Sequence, residues 1–237
     1  MMKQSMLLAV ILGSFAFHSV GAPVSDAPKK IALIAGTPSH GPGQHEYNAG
    51  CLLLKQCLDK LPQVQVTVYS GGWPSNSSSL DDVDAVWIFA DGGGKNPAIQ
   101  SDHLTVLGTL AKKGVGIGFA HYALEAPKDK GADQFRDWIG GCYETLYSCN
   151  PFFEATFTNF PVHPITRGVK PFSAKDEWYF NMRFRADTNG ITPILVTQPS
   201  DDVRKGPYAN PKGPYDHIVA ASGRGEILLW TVERPDG

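Results

Sequence analysis

The chain has 237 residues, of which 42% are hydrophobic, 19% are charged and 11% are aromatic. This length is enough to bury a sizeable core in one large domain or two small ones. Lysine and arginine (21) nearly balance aspartate and glutamate (23), so the basic excess of nucleic-acid-binding proteins is missing. We therefore expect a globular protein with no nucleic-acid partner.

Residues 1–22 have the pattern of a secretory signal peptide. One lysine precedes an apolar run over residues 6–17, and small residues follow the run. Cleavage after Ala22 would place a proline directly after the cut, which is unfavourable, so cleavage a few residues later, near Ala27, is also possible. An uncleaved membrane anchor is the alternative. No later run approaches the ~18 apolar residues of a membrane-spanning helix. We predict export to the bacterial periplasm or the extracellular space, with no membrane span after processing.

The four cysteines leave two interpretations open, because an exported protein can form disulfides. Cys51 and Cys57 lie in a predicted helix, about 9 Å apart along its axis, which is too far for a bridge between them. Cys142 and Cys149 flank a short loop and can close a small ring. Four free thiols are the other interpretation. No pair has the CxxC spacing of a zinc site.

The first half of the chain alternates strands with helices. Apolar runs predict strands over residues 30–36, 64–69, 84–90 and 114–120. Amphipathic spacing predicts helices over residues 45–61 and 97–113. Such alternation predicts a mostly parallel sheet with covering helices, and ligands bind such sheets at the carboxyl ends of the strands.

The second half of the chain changes character after Glu125. Proline and glycine interrupt it more often, and the predicted strands are 154–158, 178–184, 193–197, 217–221 and 226–232. We interpret this half as a β-rich extension of the same domain, which spans residues 29–237. Since the sequence stops directly after a strong strand, we expect this domain to be truncated at its C-terminus.

The loop that follows the first predicted strand holds two histidines among glycines and prolines. His40 and His45 lie at the carboxyl end of that strand, and His45 and Glu46 begin the next helix. Free backbone amides at a helix start can hold an anionic or polar ligand. We predict that His40, His45 and Glu46 bind substrate. A purely structural role of His45 in capping the helix is the alternative.

A glycine-rich turn follows the third predicted strand. Gly92 and Gly93 allow left-handed backbone angles and a close approach of a ligand to the chain. We predict that they line the substrate site, although a simple turn explains the same glycines.

His121 directly follows the fourth predicted strand. A strand that turns sharply into a helix exposes one side chain above the sheet, as in the nucleophile elbow of hydrolases. Imidazole serves there as an acid, a base or a metal ligand. Glu125, one helical turn further on, is placed to orient it. We predict that His121 and Glu125 are catalytic; a buried structural histidine is the alternative.

Residues 176–179 combine two acids with two aromatic side chains. Carboxylates beside apolar rings can have raised pKa values, and aromatic rings stack on sugar faces. We predict that Asp176 and Glu177 are catalytic and that Trp178 and Tyr179 bind substrate. The alternative is a loop held by a salt bridge, for instance to Arg183 or Arg185.

Several of these segments together resemble the ThuA-like (trehalose-utilisation) family over residues 29–237. The segments are 30–36, 36–46, 116–125, 163–168 and 175–184. The resemblance implies a class I glutamine-amidotransferase-like fold, which is a flavodoxin-like three-layer α/β sandwich. Amidotransferases carry a cysteine nucleophile on the elbow. His121 takes that place here, so the resemblance does not imply glutaminase activity.

The resemblance also implies a carbohydrate derivative as the ligand. A 3-keto-glycoside is a coherent substrate, because a ketone at C3 acidifies the proton at C2 and histidine/carboxylate acid–base chemistry can then cleave or isomerise the sugar. No cofactor is assigned with certainty; a divalent metal held by His40, His121 and a carboxylate is compatible with the residues. A non-catalytic sugar-binding module and an interaction protein remain the alternatives.

Overall fold

Four parallel strands form the central sheet of the structure, a computed structural model that describes residues 27–235. They are β1 (Lys29–Ala35), β2 (Val64–Tyr69), β3 (Ala85–Phe89) and β4 (Gly116–Ala120). Their spatial order is β2-β1-β3-β4, and every neighbouring pair is parallel. All four strands begin and end within two residues of the predicted positions, so the predicted parallel sheet is confirmed.

Helices cover both faces of this sheet and complete three layers. They are α1 (Tyr47–Leu58), α2 (His103–Lys112) and α3 (Ala132–Ile139). Strand β1 is buried on both faces: Ala32 and Ile34 belong to the core shared with α2 and α3, whereas Leu33 and Ala35 belong to the core shared with α1. This alternation explains why the strand is apolar throughout. The α/β sandwich predicted from the sequence is therefore present.

Two helices begin later than predicted. Helix α1 begins at Tyr47 rather than at residue 45, because His45 has a left-handed backbone with a φ of 49°. Helix α2 begins at His103, after a separate 3₁₀ turn over Pro97–Ile99. The side chain of Asn96 caps that turn by accepting a hydrogen bond from the amide of Ala98.

The β-rich half of the chain forms three antiparallel pairs. They are β5 (Gly141–Cys142) with β8 (Arg183–Phe184), β6 (Phe152–Phe157) with β7 (Phe172–Glu177), and β9 (Ile191–Thr197) with β10 (Glu226–Val232). The short helices α4 (Asp201–Arg204) and α5 (Asp216–Val219) follow β9. This half has its own apolar cluster, in which Phe153, Phe157 and Phe180 are buried. The predicted β-rich extension is confirmed.

Two strand predictions in this half are wrong. The predicted strand over residues 178–184 survives only as the two residues of β8, and the regular strand is β7, which lies before it. The predicted strand over residues 217–221 is helix α5. Asp216 in the first turn of α5 favours a helix start electrostatically, and an isolated apolar pair inside a short segment does not distinguish strand from helix.

The cysteines are all free thiols in this structure. Cys51, Cys142 and Cys149 are buried, whereas Cys57 is exposed. The ring that a bridge between Cys142 and Cys149 would close is therefore not formed.

The predicted signal peptide, residues 1–22, lies outside the described residues. Within residues 27–235, no helix combines the length and the apolar character needed to cross a membrane.

The strand order creates a crevice at the carboxyl edge of the sheet. The chain passes from β1 to β2 on one side and then to β3 on the other side. The loops after β1 and β3 consequently diverge, and open α/β sheets bind their ligands at such a switch point.

Candidate functional site

Three titratable side chains converge at the carboxyl edge of the sheet. His45, His121 and Glu177 each offer one atom, and these atoms lie within 4.8 Å of one another. His45 belongs to the loop after β1, His121 is the first residue after β4, and Glu177 is the last residue of β7. Both halves of the chain therefore build this site, which we call the histidine cluster.

His121 occupies the strand-to-helix elbow that the sequence predicts. It directly follows β4, begins the 3₁₀ turn His121–Leu124 and has a φ of 57°. A residue with a Cβ is strained in this left-handed region, and such strain persists where the surrounding structure holds the residue in place. The His121 ring packs edge-on against the ring of His45, with their centroids 4.3 Å apart. The elbow thus directs this imidazole into the cluster.

The orienting partner of His121 is Tyr179. Its hydroxyl lies 3.0 Å from Nδ1 of His121. The predicted partner, Glu125, makes other contacts: its carboxylate accepts a hydrogen bond from the hydroxyl of Thr145 at 3.1 Å, and its other oxygen is buried. Among residues 27–235, no hydrogen bond joins Glu125 to His121. The prediction that Glu125 orients the imidazole is therefore wrong, because the chain turns away from the cluster after the 3₁₀ turn.

His45 is held by two hydroxyl groups. Its Nδ1 lies 3.1 Å from the hydroxyl of Tyr47 and 3.3 Å from that of Ser39. Its Nε2 lies 3.9 Å from Oε2 of Glu177. The residue at the N-cap of α1 is Glu46, so His45 does not cap the helix. The hydroxyl contacts leave Nε2 available for chemistry with Glu177.

His40 joins the site from the exposed side. Its ring centroid lies 3.7 Å from that of His45, and its Nδ1 lies 2.9 Å from the hydroxyl of Ser39. His40, His45 and Asp91 form a second group whose ligand atoms lie within 4.8 Å of one another. The two histidines predicted as metal ligands, His40 and His121, thus belong to different groups, and His45 belongs to both.

Burial controls the protonation of the cluster. Removal from water, together with the charge of the neighbouring His45, lowers the pKa of His121 to about 4. Burial, followed by the charge of His40, also lowers the pKa of His45. Burial raises the pKa of Glu177 to about 7, against a hydrogen bond that its carboxylate accepts from Asn150 at 2.6 Å. Neutral imidazoles therefore lie beside a carboxyl group that titrates near neutral pH and that can both take up and return a proton.

Two tyrosines provide the walls of the cluster. Tyr47 and Tyr179 are both buried, and burial raises the pKa of Tyr47 to about 12 and raises that of Tyr179 as well. Both phenols consequently stay protonated at neutral pH and can donate hydrogen bonds. The prediction singled out Tyr179, but it missed Tyr47, whose only sequence signal is its position at the start of a helix after the histidine loop.

Other predicted site residues lie outside the cluster. Asp176 is exposed, and its carboxylate accepts a hydrogen bond from the amide of Glu177 at 2.8 Å. The indole of Trp178 donates to the carbonyl of Ala174 and packs on Phe157. The structure therefore brings Glu177 into the cluster but leaves Asp176 and Trp178 on the other side of the chain.

Glu46 and the glycines of the turn after β3 support the site from behind. The carboxylate of Glu46 accepts a hydrogen bond from the amide of Gly43 at 2.7 Å and closes the histidine loop. A Cβ at Gly92 would lie 2.3 Å from the carbonyl oxygen of Tyr122, so this glycine is required for packing. Gly93 has a φ of 60° and lies against Glu125. Glu46, Gly92 and Gly93 therefore hold the loops in their conformation and do not face the histidines.

The alternative for the acid–aromatic segment, a salt bridge to Arg183 or Arg185, is not present within residues 27–235. Arg185 donates hydrogen bonds to the backbone carbonyl oxygens of Asp187 and Asn189. Arg183 pairs with Glu144, whose carboxylate accepts a hydrogen bond from Nε of Arg183 at 3.0 Å, and not with Asp176 or Glu177.

Asp91 is a site residue that the sequence did not lead us to predict. Its position two residues beyond the end of β3, at the carboxyl edge of the sheet, is the signal that would have identified it.

Comparison with known proteins gives matches in structure but none in sequence. No family model matches the chain, and no curated protein sequence is similar to it. A solved structure from Bacteroides uniformis, described as ThuA-like, superposes with a TM-score of 0.60 at 15% identity over 89% of this chain and 80% of that chain. A second, from Parabacteroides merdae and also described as ThuA-like, has a TM-score of 0.55 at 17% identity over 89% and 77%. The chain therefore shares the fold of two ThuA-like structures, which supports its resemblance to the ThuA-like family at the level of the fold.

Proposed function

We propose that this protein is an exported enzyme that cleaves or isomerises a 3-keto-glycoside by histidine/carboxylate acid–base chemistry. The observation that carries the proposal is the convergence of His45, His121 and Glu177 within 4.8 Å at the carboxyl edge of the sheet. Acid–base catalysis needs at least two groups that exchange protons within reach of one substrate. The ThuA-like resemblance supports the sugar, and the pattern of residues 1–22 supports export.

The proposed reaction begins with proton removal at C2. Glu177 takes this proton, and the electron pair of the C2–H bond forms a C2=C3 double bond as the C3 carbonyl becomes an enolate oxygen. When the carbonyl re-forms, the pair moves to form C1=C2, and the bond from C1 to the leaving oxygen breaks. Glu177 then returns the proton that it took from C2 to that oxygen, through Nε2 of His45, which lies 3.9 Å from its carboxylate, so an unsaturated keto-sugar and an alcohol result and both residues regain their starting forms.

His121 and Tyr179 have the geometry to stabilise the enolate in this scheme. The imidazole carries one N–H in its neutral form, and the Tyr179 hydroxyl 3.0 Å away fixes its ring. Donors that are already positioned where negative charge develops lower the barrier without reorganisation. Return of the proton to C2 from the opposite face would isomerise the sugar instead of cleaving it.

The donors around His45 also fit a divalent cation. His40, His45 and Asp91 supply two imidazoles and a carboxylate within 4.8 Å, a mixed set that suits zinc or a similar transition metal. A cation bound by these three residues would polarise the substrate carbonyl. With His45 bound to the cation, Glu177 would return the proton to the leaving oxygen directly, and His121 would remain available to stabilise the enolate.

The test uses the full chain and one matched pair of glycosides, which are methyl glucoside and its 3-keto derivative. Sugar release is followed by mass spectrometry, with and without EDTA, and the metal content of the protein is measured. The variants are His121→Ala, His121→Gln in case the first fails to fold, and His163→Ala as a control, since His163 only caps a 3₁₀ turn elsewhere.

Turnover of the keto sugar alone, lost in the His121 variants and retained in His163→Ala, supports the proposal. Turnover of neither sugar by the folded, metal-loaded protein overturns it. Binding of the sugars without turnover would then favour the alternative of a sugar-binding module, which the aromatic walls of the cluster, Tyr47 and Tyr179, also suit.

A further inference from the structure

A separate cavity of about 340 Å³ lies beside the histidine cluster. It opens between the loops that follow β1, β2 and β3, at the switch point of the sheet. Its volume is within the range of roughly 300–1,000 Å³ that is typical of small-molecule sites. Ser39 and Asp91 line this cavity; the hydroxyl of Ser39 also contacts Nδ1 of His45, and Asp91 lies within 4.8 Å of ligand atoms of His40 and His45, so the cavity adjoins the histidine cluster.

The cavity has a fixed aromatic wall. Trp73 and His103 both line it, and their rings stack with centroids 4.2 Å apart and planes 10° apart. The indole N–H of Trp73 donates to the hydroxyl of Ser77 at 3.0 Å, and Nδ1 of His103 lies 2.6 Å from the carbonyl oxygen of Pro97. Both rings are therefore anchored in orientation. Aromatic rings held in this way can pack against the C–H groups of a sugar ring.

Opposite charges line the remainder of the cavity. Lys95 is exposed and makes no hydrogen bond or ion pair within the described part of the chain, so its ammonium group is available to a ligand. Within residues 27–235, Asp91 accepts only a hydrogen bond of 3.2 Å from the amide of Gly92. Without a cation on Asp91, an anionic ligand would be repelled by its carboxylate, and a cationic ligand would be repelled by Lys95. A neutral ligand with neighbouring hydroxyl groups can satisfy both charges at once, as donor to the carboxylate and acceptor from the ammonium.

We propose that this cavity is a second sugar-ring subsite and that the substrate is a disaccharide or a longer glycoside. One ring lies over the histidine cluster, where the bond is broken, and the next ring lies against Trp73, with its hydroxyls between Asp91 and Lys95. The inference rests on the proposed function for the assignment of the reacting ring. Recognition of the second ring then determines which glycosides the protein accepts as substrates.

The test compares two substrates that differ by one ring: the 3-keto derivatives of methyl glucoside and of trehalose. Steady-state KM and kcat are measured for the wild type, Trp73→Ala, Trp73→Phe and Lys95→Met. Lys112→Met is the matched control, because Lys112 is an exposed lysine at the end of α2 and does not line the cavity. Isothermal titration with unmodified trehalose and maltose measures binding without chemistry.

We expect Trp73→Ala and Lys95→Met to raise KM at least tenfold for the disaccharide, with kcat unchanged and with the methyl glycoside unaffected. Trp73→Phe should restore most of the loss, because it keeps an aromatic wall. Loss of binding alone appears in KM, whereas damage to the reacting groups lowers kcat. Equal changes in KM for both substrates, or no change in KM for either, would overturn the proposal of a second subsite.

The two proposals can fail separately. If no keto sugar is turned over but trehalose or maltose binds and Lys95→Met weakens that binding, the subsite stands and the proposed activity does not. If keto sugars are turned over and the Trp73 and Lys95 variants match the wild type, the activity stands and the subsite does not. Absence of both turnover and disaccharide binding overturns both.

Discussion

The hydroxyl of Tyr179 lies 3.0 Å from Nδ1 of His121. This contact joins the β-rich half of the chain to the elbow at the end of β4. It also selects the side from which His121 is held, so that the imidazole faces His45 and not Glu125. The geometry of the site therefore depends on the packing of the two halves against each other.

Removal of this hydroxyl should weaken both the site and the fold. In Tyr179→Phe the ring keeps its volume, but His121 loses its orienting partner. We expect the free energy of unfolding to fall by about 0.5–1.5 kcal/mol, as for one hydrogen bond, and turnover of the 3-keto-glycoside to fall about tenfold. Urea denaturation and steady-state kinetics measure the two effects. Tyr147→Phe, away from the cluster, is the control, and equal losses of turnover in both variants would contradict the role of Tyr179.

The two neighbouring acids of β7 should differ sharply in function. Glu177→Gln removes a carboxylate within 3.9 Å of His45, whereas Asp176→Asn changes an exposed side chain. We expect turnover to fall at least a hundredfold in the first variant, as for loss of a general base, and less than twofold in the second. The matched pair is compared by kcat at saturating substrate. Similar kcat values in the two variants would exclude Glu177 as the base.

Thiol labelling should distinguish the four cysteines. Burial raises the pKa of Cys51 to about 11 and raises those of Cys142 and Cys149, so these thiols stay protonated and unreactive. Cys57 is exposed. We expect one fast-reacting thiol in the native protein and four in denaturant, counted by mass spectrometry after alkylation. Only two reactive thiols in denaturant would indicate a bridge between Cys142 and Cys149 instead.

The ion pair between Glu144 and Arg183 should make stability depend on acid pH. Hydrogen bonds from Arg183 at 3.0 and 3.1 Å lower the pKa of Glu144 below its ordinary value of 4.5. Because the folded pKa is the lower one, the stabilisation is present above pH 4.5 and is lost as the pH falls through the folded pKa. Both side chains are partly exposed, so we expect less than about 1 kcal/mol.

Denaturation of wild type and Glu144→Gln between pH 3 and pH 7 measures this difference. The two free energies of unfolding should diverge towards neutral pH and converge in acid. Asp202→Asn, which removes a carboxylate that is 94% exposed, should show no such divergence. A constant difference at every pH would mean that the pair stabilises the fold without any charge.

The parallel sheet could be predicted because its signals are local. A strand such as β1 is buried on both faces, which requires a continuous apolar run, and the following loop lies at the carboxyl edge by topology alone. The same rule identified His40, His45 and His121 as neighbours of that edge. In the second half, where short strands lack a two-faced core, the pattern was ambiguous, and helix α5 was mistaken for a strand.

Within the acid–aromatic segment, strand alternation decided which side chains enter the site. Strand β7 ends at Glu177, and the ladder continues as Trp178 donates its amide to Pro151. Successive side chains therefore point to opposite sides, so Glu177 and Tyr179 share the side of the histidines while Asp176 and Trp178 do not. The composition identified the segment, but the register was needed to choose between its members.

The sequence by itself determined the central sheet, the edge at which ligands bind and the elbow that carries His121, because backbone sterics and apolar periodicity act over neighbouring residues. Only the tertiary structure decided that Glu177 meets His45, that Tyr179 rather than Glu125 holds His121, and that Trp73 and Lys95 line a cavity beside them. Those relationships depend on contacts between segments far apart in the chain, and on the burial that such contacts produce. No local pattern encodes them, because each joins residues that are distant in the sequence.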